Sequence, residues 1–384
     1  MSMTAHLARC HNIDDLRVLA RCRLPRPVFD FLDGAAESER TARQNTVAFD
    51  DTVLVPRFLI DVSSVKTATR VLGQDIEWPL VCSPTGGSRI FHPDGELAVA
   101  RAAGRARIFY GLSTTATVSL EDIAAVAPGP KLFQLYIFKD RDMTRELIDR
   151  CKQAGYSAMC LTVDVPVVGK RERDLRSGFG VPTKWSAPLV ASFARRPLWS
   201  LAYLRNGALT MPNVAHRAGA DSLPAQTRYI GQQLDPSVSW RDVREMIERW
   251  GGPFAIKGVL SADDARRVAD VGASAVIVSN HGGRQLDGAM TPIDALPAIA
   301  AAVGQHIEVL LDGGVRRGVH VLKALARGAK ACSIGRPYLY GLSAAGEPGV
   351  AKALRILHTE LIRAMQLAGC TDVRDIAPDI IAGN

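Results

Sequence analysis

The stretch Ser279-Asn280-His281-Gly282-Gly283-Arg284-Gln285-Leu286-Asp287 sets an imidazole just beyond the apolar, β-branched run AVIVSN and a guanidinium three positions further on. Two glycines between them let the backbone turn sharply, so both groups can face one small molecule. In that arrangement His281 is a general base and Arg284 grips a carboxylate with paired N–H donors. The same residues also fit a histidine bonded to nearby backbone and an arginine in a surface ion pair. Two further stretches weigh against that blander reading. Leu311-Asp312-Gly313-Gly314-Val315-Arg316-Arg317-Gly318 and Ile334-Gly335-Arg336-Pro337 each close an apolar run with glycine and arginine. Glycine amides and a helix N-terminus suit a phosphate, with Arg316 and Arg336 as counter-charges; simple turn formation is the alternative for the glycines.

Asp312 ends the apolar run that follows the His281 run. A hydrogen bond from there to the imidazole would fix its tautomer and stabilise the imidazolium. Lys257 ends the run before, where a lysine serves either as a Schiff-base amine or as a fixed positive charge beside an anionic cofactor.

These groups need a frame, and the chain supplies a regular one. Apolar runs begin at 79 (PLVCSP), 107 (RIFYGLS), 132 (LFQLYI), 158 (AMCLTVD), 254 (FAIKGV), 275 (AVIVSN), 308 (EVLLDGG) and 331 (ACSIGR). Helix signatures lie between them, such as a capping box at Ser261-Ala-Asp-Asp264 with Gly272 as the stop. Continuous apolar strands alternating with helices predict a parallel sheet covered on its outer face, and eight repeats predict a (β/α)8 barrel. In such a barrel the loops after the strands build the site. That selects Thr85, Ser113, Gln134, Tyr136, Thr162, Asp164, Lys257, His281, Asp312 and Arg336, each of which could also be a satisfied polar group at a strand end.

The chain of 384 residues is 47% apolar and carries a formal charge of +8, enough for one large core and compatible with anionic ligands, a membrane surface or nucleic acid. No apolar run has the roughly 18 residues needed to span a bilayer, and the N-terminus does not read as a signal peptide, so a cytoplasmic location is expected. Seven scattered cysteines without a CxxC pair predict buried thiols, with no metal site and no disulfide.

With these residues in view, the chain resembles the FMN-dependent 2-hydroxy-acid oxidising family, which includes glycolate oxidase, flavin-linked lactate dehydrogenase and mandelate dehydrogenase. The resemblance runs from about residue 5 to 380 and rests on SNHGGRQLD, LDGGVRRG and IGRP, with FQLY (133–136) and LTVDVP (161–166) in support. It implies that His281 is the catalytic base with Asp312 as its partner. Arg171 and Arg284 would bind the substrate carboxylate, and Tyr136 would hydrogen-bond near the reacting oxygen. FMN would lie against Pro84, Thr85 and Gly86 and meet Ser113, Gln134, Thr162, Lys257 and Ser279. Its phosphate would fall to Gly314, Arg316, Gly335 and Arg336. Asp164 would either help orient the catalytic groups or serve structurally at the rim. The resemblance further implies one barrel domain with an N-terminal extension over 1–75, an L-2-hydroxy acid as substrate and a homotetramer. It also implies that no haem domain precedes the barrel.

Three positions depart from the family pattern. Phe29-Asp30-Phe31-Leu32 stands where relatives carry a YDYY-like stretch, so Phe31 keeps the ring but loses a hydroxyl, a hydrogen bond worth about 1 kcal/mol. Thr115 replaces a bulky tryptophan of glycolate oxidases, which leaves room for lactate-like or mandelate-like acids. Gly86 replaces an alanine typical of oxidases, which favours a quinone or carrier over oxygen as electron acceptor.

Nearly ninety residues separate the fourth and fifth runs, with an inserted segment over about 177–235. From Thr183 to Ala220 it holds no acidic residue. Lys184, Arg195, Arg196, Arg205 and Arg217 instead interleave with Trp185, Phe193, Trp199 and Tyr203. Such a mixture suits peripheral contact with the inner face of the cytoplasmic membrane; a basic loop over the site or at a subunit contact is the alternative. No recognised motif supports nucleic-acid binding. The expectation is a peripheral dehydrogenase, with a soluble oxidase, a relative with another substrate and a non-catalytic binding barrel as alternatives.

Overall fold

The computed structural model describes residues 3–179, 183–184, 186–219 and 222–383; Trp185 lies outside these. Eight parallel strands close into a barrel. They are β1 Leu80–Thr85, β2 Phe109–Ser113, β3 Lys131–Leu135, β4 Ala158–Thr162, β5 Phe254–Val259, β6 Ala275–Ser279, β7 Glu308–Asp312 and β8 Ala331–Ile334. β8 pairs with both β7 and β1, which closes the ring. Each strand falls on an apolar run, as expected for a (β/α)8 barrel. In β2, β3, β4 and β6 every residue is buried, because one face lines the barrel and the other lies under helices; alternation is therefore absent.

Inside the barrel, Val81, Phe109, Leu132, Cys160, Ile277 and Leu310 share one apolar cluster with Val71, Leu72 and Ile76. The last three belong to an antiparallel hairpin, Thr69–Val71 with Gln74–Ile76, whose Leu72 N–H donates to Glu308 at the start of β7. The hairpin plugs the N-terminal end and leaves the C-terminal end open to chemistry. Ser261 Oγ accepts from Asp264 N at 3.1 Å, capping the Ala262–Asp270 helix. Six of the seven cysteines are buried and Cys22 is exposed; all are free thiols.

Two segments cover the open end. The N-terminal helices Arg26–Asp33 and Arg40–Val47 reach the β6 loop, where Asn45 and Asn280 exchange amide hydrogen bonds of 2.8 and 2.7 Å. The insertion after β4 is helical, with Glu172–Ser177, Ala187–Ala194 and Pro197–Arg205 among its elements, and Glu172–Ser177 packs on Arg26–Asp33. No helix among the described residues is long and apolar enough to cross a membrane.

Candidate active site

Just past β6 the chain enters the left-handed region at His281, with φ of +58°, a conformation costing about 1 to 2 kcal/mol for a residue with a Cβ. The turn is held by His281 N–H to Ser279 Oγ at 3.0 Å and Gly283 N–H to Asn280 Oδ1 at 3.2 Å. It directs the imidazole toward the end of β4, where Nδ1 meets Asp164 Oδ1 at 2.9 Å. Burial works to raise the pKa of Asp164, but its pairing with the His281 imidazole and the positive charge of Lys257 outweigh it and hold the carboxyl below its usual range. An ionised carboxylate only accepts. Nδ1 therefore carries the proton, and Nε2 is the ring nitrogen left to act as a base.

The partner of the imidazole is thus Asp164, and the expectation for Asp312 is corrected. Asp312 Oδ2 accepts from Lys257 Nζ at 2.8 Å and Ser279 Oγ at 2.7 Å, and Oδ1 accepts from Ser83 Oγ at 3.1 Å. The register explains it. Ser279 pairs with Asp312, so these two share one depth; Lys257, opposite Ile277, reaches them from two residues below, whereas His281 stands two residues higher. Burial works to lower the pKa of Lys257, but Asp312 and Asp164 raise it well above the ordinary amine value. Lys257 is accordingly a fixed ammonium, not the neutral amine that Schiff-base chemistry requires.

Three partly buried guanidinium groups converge above this layer. Arg284 Nη1 donates to the carbonyls of Phe31 and Gly34, both at 2.9 Å, and its guanidinium carbon lies 5.3 Å from the centre of the Phe31 ring. Arg171 makes no side-chain hydrogen bond among the described residues, and its Nε is fully buried. Arg336 donates to the carbonyls of Gly282 at 2.8 Å and Gly34 at 2.7 Å, while its Nε is buried without a partner. Burial lowers the pKa of all three, and for Arg284 the charges of Arg171 and Arg336 lower it further. Like charges held this close without a bonded carboxylate are costly unless an anion completes them. Arg284 has Nε and Nη2 left for a bidentate carboxylate, with Arg171 beside it.

A second anion site lies at the ends of β7 and β8. Gly314 takes φ of +84°, and a Cβ there would stand 1.9 Å from the carbonyl oxygen of Asn45. Only glycine fits at this turn of the loop. Gly335 caps the Arg336–Ala368 helix, whose N-terminus faces the same end of the barrel, and Arg316 flanks it. Between the two anion sites lies a lining of polar groups. Gln134 Oε1 accepts from Ser113 Oγ at 2.9 Å, but Gln134 Nε2 is buried with nothing to receive its protons. Thr162 sits opposite Lys257, and Thr85 Oγ1 bonds Tyr338 OH at 2.7 Å. At Gly86 a Cβ would come 2.1 Å from Thr115 Oγ1, so these two small residues occupy one wall beside Pro84. Tyr136 has no hydrogen bond among the described residues; burial and the charge of Asp164 push its hydroxyl up to about 12, so it remains a proton donor.

An unsatisfied buried amide, a fixed ammonium and a glycine–arginine phosphate cradle fit a planar heterocycle that carries carbonyls and one phosphate. The class is a flavin-binding barrel with an acid–base site and a carboxylate receptor. A family model described as FMN-dependent dehydrogenase matches residues 20–383. An L-lactate oxidase of Nostoc sp. is 43% identical over 369 residues, covering 95% of this chain and 96% of its own. The (S)-mandelate dehydrogenase of Pseudomonas putida is 40% identical over 372 residues, covering 96% of this chain and 93% of its own. A solved structure of the monotopic membrane protein (S)-mandelate dehydrogenase superimposes with a TM-score of 0.94 at 39% identity, covering 98% of this chain and 100% of that one. The chain belongs to the FMN-dependent 2-hydroxy-acid oxidase and dehydrogenase family.

Sequence reasoning did not reach Ser83, Gly34, Asp33, Arg173 or Asn45. Ser83 lies inside β1, within reach of a rule that looks one layer below the strand ends. The other four come from covering segments, where spacing carries no signal of what they meet.

Proposed function

We propose that the protein oxidises an aryl-substituted (S)-2-hydroxy acid of the mandelate type and hands the electrons to a membrane quinone. One observation carries the substrate reading. Phe31 lies 6.1 Å from Phe91 in a stacked arrangement and 6.1 Å from Phe179 edge-on, so an aromatic wall stands beside the carboxylate-binding arginine. A phenyl ring suits such a wall better than a methyl group does. The small Thr115 and Gly86 leave space for it. Phe31 lacks the family hydroxyl, and its ring faces the Arg284 guanidinium instead.

In this reading FMN would be held by Gln134, Ser113, Thr162, Lys257 and the cradle of Gly314, Arg316, Gly335 and Arg336, and it would supply a two-electron acceptor. Arg171 and Arg284 orient the substrate by its carboxylate. Tyr136 donates to the reacting oxygen, and His281 Nε2 takes the hydroxyl proton while Asp164 stabilises the imidazolium that results.

The acceptor reading draws on the surface of the insertion. Leu198 is 80% exposed and Leu204 76% exposed on the Pro197–Arg205 helix. Lys184, Arg195 and Arg205 are exposed in the same insertion, and the solved (S)-mandelate dehydrogenase is a monotopic membrane protein. Apolar side chains ringed by bases suit an anionic lipid surface. Turnover with a quinone analogue in anionic vesicles should far exceed turnover with oxygen. Leu198→Glu combined with Leu204→Glu should release the enzyme from those vesicles and spare turnover with a water-soluble dye. Rapid oxygen use contradicts the acceptor reading, and undiminished vesicle binding by the double variant contradicts the membrane reading.

A further inference from the structure

Asp33 closes the Arg26–Asp33 helix with 6% of its side chain exposed. Its carboxylate receives Arg17 Nε at 2.6 Å, Arg17 Nη2 at 2.8 Å, Arg173 Nη1 at 3.1 Å and Tyr340 OH at 2.7 Å. Four donors on one carboxylate exceed what is needed to tie a helix end in place. None of them reaches His281, so the cluster does not belong to the proton-transfer machinery.

What surrounds Asp33 explains the investment. On one side is Arg173, two residues beyond Arg171 in the segment after β4. Arg173 is fixed a second time by Glu39, whose other oxygen accepts from Ala35 N–H at 2.9 Å. On the other side is Gly34, whose carbonyl accepts from Arg284 Nη1 at 2.9 Å and Arg336 Nη2 at 2.7 Å. Arg171, Arg284 and Arg336 come from the loops after β4, β6 and β8, so no single barrel loop sets their separation. The dipeptide Asp33-Gly34 touches all three of those segments.

We propose that Asp33 is a positioning residue for carboxylate recognition. Through Arg173 it seats Arg171, and through the Gly34 carbonyl it seats Arg284, so that two like charges stand at the two sides of one carboxylate. Left to mutual repulsion in a buried site, two guanidinium groups would separate toward solvent; a fixed external framework opposes this. Gly34 offers an independent handle, because a Cβ there would lie 2.5 Å from the Asp30 carbonyl oxygen and displace the Gly34 carbonyl without touching the Asp33 charge.

The inference rests on Arg171 and Arg284 being the carboxylate receptor, and the test separates the two statements. Oxalate, which carries carboxylates and no oxidisable carbon–hydrogen bond, is titrated into the FMN-loaded enzyme and followed by the flavin absorbance. Asp33→Asn and Gly34→Ala should each weaken oxalate binding about tenfold, the scale of one misaligned charge-assisted hydrogen bond. Both should raise KM for the hydroxy acid by a similar factor while kcat of the FMN-saturated enzyme stays close to that of the parent, and Asp33→Glu should recover part of the loss. If Asp33→Asn does not fold, Gly34→Ala and Arg173→Gln carry the test. Unchanged oxalate affinity in the folded variants overturns the inference even if their melting temperatures fall. Unchanged affinity in Arg171→Met and Arg284→Met overturns the receptor reading beneath it.

Discussion

His281 and Asp164 form the hydrogen-bonded pair to which the proposed function assigns proton transfer, and nearby Lys257 and Asp312 form a second ion pair. The first lies at the barrel mouth; the second holds a buried ammonium among the strands, where the proposed function seats the flavin. Histidine and arginine were legible in the sequence because a strand end followed by Gly-Gly and Arg leaves few directions for their side chains. The partner of the histidine was not legible, because adjacency of β6 and β7 in the barrel says nothing about depth along the strands. At this scale the acid limb of stability is also defined. Burial works to raise the pKa of Asp33, but Arg17, Tyr340 and Arg173 hold it well below the ordinary value of 3.8. The folded state therefore releases this proton more readily than the unfolded chain. The stabilisation is present above about pH 4 and is lost as pH falls further. Thermal melts of Asp33→Asn between pH 3 and 6 should show a lower melting temperature at pH 6 and a smaller loss on acidification than the parent. Parallel curves would show that Asp33 is not the group responsible.

The strands were readable as elements because both of their faces are buried, which turns each into a continuous apolar run. The covering segments were less so. The Arg26–Asp33 helix reads as an ordinary amphipathic helix, yet its last turn holds the arginines of three distant loops, contacts that depend on tertiary packing alone. The β7 loop gives this scale a direct test. Gly314→Ala must place a methyl group where the Asn45 carbonyl stands and force φ of +84° on alanine. A clash of that kind with backbone, added to left-handed strain, costs about 3 kcal/mol or more. Calorimetry should show a lower melting temperature, and dialysis should show weaker FMN retention than in Gly272→Ala, a surface control with open space at its Cβ. Equal FMN retention in the two variants would remove the β7 loop from the phosphate cradle.

For the molecule as a whole, the charge of +8 divides among tasks that composition alone could not separate. Part of it lies in the partly buried arginines of the two candidate anion sites, and part in the exposed rim of the insertion. The barrel was legible from eight spaced runs. The aromatic wall on which the substrate proposal rests was not, because Phe31, Phe91 and Phe179 come from three segments and meet only on folding. The account stands or falls on whether His281 delivers electrons from a 2-hydroxy acid to the flavin. Anaerobic spectra of the FMN-loaded protein with glycolate, L-lactate, a longer aliphatic 2-hydroxy acid and (S)-mandelate test this directly. The account predicts that the yellow colour bleaches fastest with (S)-mandelate, and that His281→Ala retains FMN but bleaches at least a thousandfold more slowly, as expected for loss of a positioned base. Bleaching by none of these acids, or undiminished bleaching in His281→Ala, would contradict it.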